Sequence, residues 1–89
     1  MVTMLIQHNV KDYAAWRVVF DSVSDLRTSN GEIGNQIYRD EKDANSLTVL
    51  NTWDTFENAR KFSESPELKT AMDKAGVYGR PEIHFLNQA

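Results

Sequence analysis

Apolar residues near the start of the chain fall at every second position. Val2, Met4 and Ile6 alternate with Thr3, Leu5 and Gln7, the period of a β-strand, and Val10-Lys11-Asp12 breaks the pattern. The period then lengthens. After Asp12, a favourable N-cap, apolar residues recur at Tyr13, Trp16, Phe20, Val23 and Leu26 in steps of three and four. This predicts one amphipathic helix ending at Ser29-Asn30-Gly31. Residues 33–39 and 47–53 are two β-prone runs joined by a polar turn too short for a crossover helix, so they are expected to pair as an antiparallel hairpin. Asp54, with Glu57 three positions on, resembles a capping box that opens a short helix through Phe56, Ala59 and Phe62. Ser65-Pro66-Glu67 starts another, with Ser65 as N-cap and Pro66 in the first turn; Leu68, Ala71, Met72 and Ala75 form its inner face and Gly76 ends it. Residues 77–81 read as a glycine-flanked loop, and residues 82–86 as the last strand.

Strand, helix, strand, strand, broken helix, strand is the ferredoxin-like α+β order, with one antiparallel sheet, helices on one face, and residues 1–89 as a single domain. The other face is not simply polar. Leu5, Thr48, Leu50, Thr52 and Leu86 alternate with Met4, Ile6, Val49, Trp53 and Phe85, so both faces ask for cover. A chain of 89 residues buries only about two-thirds of its unfolded surface. A second copy, packed sheet to sheet about a two-fold axis, would supply what is missing, and a homodimer is expected.

Composition narrows the function classes. Ten basic against thirteen acidic residues give a net charge of −3, which offers no attraction to nucleic acid or to an anionic membrane surface. Without cysteine there is no disulfide framework, thiolate chemistry, iron–sulfur cluster or zinc finger. The apolar start, residues 1–6, is too short to span a membrane and lacks the parts of a signal peptide, so the chain is read as cytoplasmic. No nucleotide-binding glycine motif, nucleophile elbow or calcium loop occurs, and the two histidines lack metal-ligand spacing. Neither cofactor nor metal is expected.

Several stretches together resemble a known family. They are His8-Asn9-Val10-Lys11-Asp12-Tyr13 with Trp16 and Phe20-Asp21, then Thr52-Trp53-Asp54, then Ser65-Pro66-Glu67-Leu68-Lys69 with Ala71-Met72, and finally Ala75-Gly76-Val77 with Gly79, Pro81 and Phe85-Leu86. Over nearly the whole chain these are similar to the dimeric α+β-barrel proteins grouped with antibiotic-biosynthesis monooxygenases, among them small bacterial and archaeal members labelled "cyclase". The resemblance implies a dimer with a pocket between sheet and helices in each subunit. It also implies a cofactor-independent oxygenase or cyclase acting on an aromatic or polyketide-like molecule, with Asn, Trp, Tyr and Arg side chains holding an activated phenolate. Haem-degrading relatives use a strand Trp, matched by Trp53, and a helical His. Met72 stands at about the place of that histidine, which removes the axial ligand a haem reaction requires.

The residues offer both a chemical and a structural reading. His8, in register with Val2, Met4 and Ile6, should face the helices, either as a general base or as a hydrogen-bonded structural group. Asn51, on the Trp53 face, is an amide that must find a partner beneath the helices, and a ligand can be that partner. Asn9 is a second candidate for the asparagine role. Trp53 and Trp16 form an aromatic wall or simply core, with Met72 nearby. Tyr78 and Arg80 either close over the pocket, supplying a proton and a cation, or merely redirect the chain. His84 should point to the opposite face, away from His8, while Arg39 and Asp40 read as solvated hairpin residues. The rival to an enzyme is a non-catalytic small-ligand-binding or dimerisation module, its interior filled by Trp16, Trp53, Phe62 and Met72.

Overall fold

The computed structural model describes all residues from Met1 to Ala89. Its elements run β1 (Val2–Val10), α1 (Tyr13–Ser22), α2 (Ser24–Ser29), β2 (Glu32–Arg39), β3 (Ser46–Trp53), α3 (Phe56–Ser63), α4 (Pro66–Lys74) and β4 (Val77–Asn87). One antiparallel sheet in the order β2-β3-β1-β4 carries the helices on a single face, the ferredoxin-like topology expected from the patterning. No helix is long and apolar enough to cross a membrane.

Local chemistry explains most element ends. The Asp12 carboxylate accepts from the Ala15 N–H at 3.0 Å, and the Ser65 hydroxyl accepts from the Leu68 N–H at 3.2 Å with Pro66 in the first turn. Gly31 and Gly76 both take positive φ, 113° and 81°, where a side chain would be strained.

Three expectations need correction. The single helix over residues 12–29 is two, because Val23 leaves helical geometry at φ −107°, ψ 20°. The break removes the partner that the Phe20 carbonyl would have in a continuous helix, and the Arg27 guanidinium takes that place at 2.6 Å. The cap of α3 is Thr55, whose hydroxyl accepts from the Asn58 N–H at 3.1 Å; Asp54 instead accepts from the Thr55 N–H at 2.7 Å. Finally, residues 77–81 are not a loop before the last strand but its first part. Gln7 pairs with Glu82 and Asn9 with Tyr78, so three residues of β4 bulge outward opposite His8. Gly79, at φ 72°, makes that bulge possible.

The inner face of the sheet holds Val2, Met4, Ile6, His8 and Val10 of β1 beside Leu47, Val49, Asn51 and Trp53 of β3, every one of them buried. On the outer face Leu5 pairs with Leu50 and lies opposite His84, Thr3 pairs with Thr52 and lies opposite Leu86, and Gln7 pairs with Thr48 and lies opposite Glu82. His84 therefore faces away from His8, as its alternation predicts, and its Nε2 lies 2.9 Å from a Glu82 carboxylate oxygen.

Candidate functional site

His8 lies near the end of β1, opposite Leu47 on one side and the β4 bulge on the other. Its ring is 8% exposed, and neither nitrogen has a hydrogen-bond partner. Removal from water disfavours the imidazolium and lowers the pKa from 6.5 to about 4, so the ring is neutral at pH 7. Trp16 packs against it with ring centres 5.8 Å apart, and continues a stack of Tyr13, Trp16 and Phe20 along α1.

Asn51 occupies the other end of the same face, two rungs along the sheet from His8, with the Ile6–Val49 pair between them. Strand rise sets this offset at about 13 Å. The Asn51 side chain donates through Nδ2 to Glu32, while its Oδ1 is buried without a partner. Between the two polar groups the sheet and helices line a partly open cavity of about 60 Å³. Its floor is Ile6 and Val49, with His8 and Asn51 at the ends; its walls are Trp16, Phe20 and Val23 of the first helical segment, Phe62 of α3, and Leu68, Ala71, Met72 and Ala75 from α4 and its cap. Because a water needs about 10–15 Å³, the space holds a handful of waters. It is an apolar slot with a hydrogen-bonding group at each end, the usual make-up of a small-molecule site.

The structure thus brings His8, Asn51, Trp16 and Met72 to one cavity and separates Trp53, Tyr78, Arg80 and Asn9 from it. Trp53 is fully buried but packs on Phe62 at 5.0 Å, in a core cluster with Met4, Ile6 and Ala59. It does not border the cavity and makes no wall with Trp16, because it sits at the sheet end covered by α3. Tyr78 and Arg80 lie on the β4 bulge and line a separate polar cleft, shared with His8, Asn9, Arg39 and Asp40, rather than closing over the inner cavity. Arg39 is more than a solvated residue, since its guanidinium lies 4.0 Å over the Tyr13 ring and its Nε donates to the Ala44 carbonyl at 2.9 Å. His8 alone borders both spaces.

Two residues escaped the reading of the sequence. Arg27 and Glu32 form a buried ion pair, Nε to Oε1 at 3.1 Å, and Glu32 is the partner of Asn51. The spacing 16-20-23-27 contains the signal, because Arg27 falls on the apolar stripe of the first helical segment. No three His, Asp or Glu side chains converge in a way that would hold a metal ion.

Comparison with known proteins adds the fold. No protein-family model and no curated protein matches the chain. Among solved structures, a candidate antibiotic biosynthesis monooxygenase from Bordetella bronchiseptica superposes with a TM-score of 0.83 at 15% identity, covering 99% of this chain and 96% of that one. SnoaB, a cofactor-independent oxygenase from Streptomyces nogalater, gives 0.79 at 15% identity over 99% and 92% of the two chains. A conserved protein from Methanosarcina mazei gives 0.76 at 15% identity with the same coverage. The chain therefore has the ferredoxin-like α+β fold found in antibiotic biosynthesis monooxygenases.

Proposed function

We propose that the inner cavity is a binding site for a small aromatic or polyketide-like molecule, and that the protein acts there as a cofactor-independent monooxygenase or cyclase. The observation that carries this reading is that the His8 imidazole and the Asn51 carbonyl oxygen, both buried without a hydrogen-bond partner, belong to residues lining one apolar cavity. Leaving such groups unpaired costs about 1–3 kcal/mol each, a cost that a ligand or water with matching groups removes. SnoaB, whose fold the chain shares, is a cofactor-independent oxygenase.

In this proposal a ring lies on Ile6 and Val49 against Trp16 and Met72. Neutral His8 accepts a phenolic or enolic proton, the first step of either chemistry. With its pKa near 4, the buried His8 is a weak base. Taking a proton from a simple phenol of pKa about 10 would be about 8 kcal/mol uphill. The anion formed beside the imidazolium offsets part of that cost. Acidic enols and phenols conjugated to a carbonyl group are therefore the better substrates. His8 also borders the cleft that holds Tyr78 and Arg80, but both ring nitrogens are buried away from it. Trp53 contributes by packing alone. A second copy of the chain covers the Leu5–Leu50 face, completing a dimeric barrel.

Oxygen uptake and product mass, measured with a panel of naphthalene quinols and polyketide-like β-diketones, test the reading. Turnover above the buffer rate, falling at least about a hundredfold in His8→Leu, is the expected result. Absence of both binding and turnover across the panel refutes it. The small cavity volume favours a second reading, a binding module without turnover. Saturable binding with neither oxygen uptake nor any new product would establish that alternative.

A further inference from the structure

Buried charge in this molecule is concentrated in one place. The Arg27 and Glu32 side chains are 6% and 5% exposed and pair at 3.1 Å. Arg27 also donates through Nη1 to the Phe20 carbonyl at 2.6 Å and lies 3.6 Å over the Phe20 ring. Apolar residues of similar volume often serve stability as well as such a pair does, so stability alone is a poor reason for it. Its consequence lies one residue further on.

The Glu32 carboxylate only accepts hydrogen bonds. One oxygen is taken by Arg27, and the other meets Asn51, which can answer only with its NH₂ group. That contact fixes the rest of the amide. The carbonyl oxygen must point away from Glu32, and it is buried at the cavity wall with no partner. A freely turning amide would offer a ligand either a donor or an acceptor, whereas this one offers an acceptor only.

We propose that Glu32, held by Arg27, is a positioning residue that turns Asn51 so that its carbonyl oxygen faces the cavity. The cavity in consequence selects ligands that present a hydroxyl or N–H hydrogen at that end over the corresponding ether or anion. This rests on the cavity being a ligand site, as argued above. An anion would meet a carbonyl oxygen with a carboxylate behind it. Arg27 borders the cavity too, but its charge is already matched by Glu32.

Chemical-shift titrations at pH 7 with phenol, anisole and benzoate test the proposal in full chains that all carry His8→Leu, so that no imidazole competes for the phenol hydrogen. Phenol should bind about tenfold tighter than anisole, the worth of one hydrogen bond, and benzoate should bind weakest. In Glu32→Gln the amide is free to turn, and the phenol–anisole difference should fall below about threefold. Asn51→Leu removes the acceptor but keeps the Arg27–Glu32 pair, and should lose the preference equally, which keeps the test alive if Glu32→Gln folds poorly. The Asn51 side-chain NH₂ signals give a readout without ligand: one carboxylate-bonded proton, shifted downfield in the wild type, returns to the ordinary range in Glu32→Gln. Equal affinity for phenol and anisole with Glu32 and Asn51 intact, tighter binding of benzoate, or a preference that survives both variants overturns the proposal. Failure of all three probes to bind overturns the ligand-site reading itself, and the selectivity with it.

Discussion

Replacing His8 by leucine should change how the protein responds to acid more than how stable it is at neutral pH. The imidazole is 8% exposed with no hydrogen-bond partner, and burial lowers its pKa from 6.5 to about 4. Between those two values the unfolded chain holds a proton at this residue and the folded chain does not. Stability conferred by keeping the ring neutral is therefore fully present above pH 6.5 and drains away as the pH falls to about 4, where the folded state takes up the proton as well. A shift of about 2.5 units corresponds to about 3 kcal/mol, a large share of the 5–15 kcal/mol or so that holds a typical domain. Urea unfolding of wild type and His8→Leu, followed from pH 8 to pH 4 at fixed protein concentration, measures the difference directly. Carboxylate titrations and any effect of assembly are common to both proteins and cancel. The wild type should lose about 3 kcal/mol more than the variant across the range, nearly all of it between pH 6.5 and pH 4. Parallel curves would refute the reasoning and show that water or a protein group satisfies the ring in solution.

Two further perturbations probe the cavity and the open face. Ala71 borders the cavity from α4, so Ala71→Val should place two methyl groups in empty space, raising stability by about 1.5 kcal/mol in thermal denaturation while weakening phenol binding; a fall of more than about 1 kcal/mol would mean the space is not there to fill. Leu50 pairs with Leu5 at the centre of the outer face, and Leu50→Arg should convert a dimer to a folded monomer in sedimentation velocity, whereas an unchanged mass would locate assembly elsewhere.

Features decided by a few neighbouring residues were legible in the sequence. The first strand, the hairpin and the Ser65-Pro66 helix start follow from period-two alternation, a short polar turn and a cap, and all three stand in the structure. The inward faces of His8 and Asn51 follow from the same alternation. What escaped depends on distant partners. Nothing between Phe20 and Leu26 forbids a helix through Val23; the break is tied to Arg27, whose guanidinium occupies the freed Phe20 carbonyl and reaches Glu32 of the next strand. Residues 77–81 look like a turn because two glycines and a proline flank them, yet β1 supplies a pairing edge that holds them in the sheet apart from the bulge at Gly79. Trp53 illustrates a third limit. Alternation tells which face a strand residue takes, but whether it meets cavity or core depends on which helix crosses above it, and α3 crosses above Trp53.

The location of the cavity follows from how the core divides. Met4, Ile6, Trp53, Ala59 and Phe62 form one buried cluster under α3, and Val10, Trp16, Leu47, Val49 and Ala75 form another under α1. Ile6 and Val49 are direct partners across the β1–β3 ladder, so the division lies in the helical layer and not in the sheet. Above that pair only α4 could close the seam, and it carries no fully buried residue: Leu68, Ala71 and Met72 all remain half-buried at the cavity wall. A helix seated this lightly is the part of the wall that can move to admit a ring, since sparse burial lowers the cost of local opening. Trp53 Nε1 is also buried without a partner, but it lies in packed core, whereas the polar groups at the two ends of the seam border open space. A neutral imidazole and the carbonyl oxygen of a pinned amide, both left without partners over an unfilled seam, make sense together if the missing partner is a ligand.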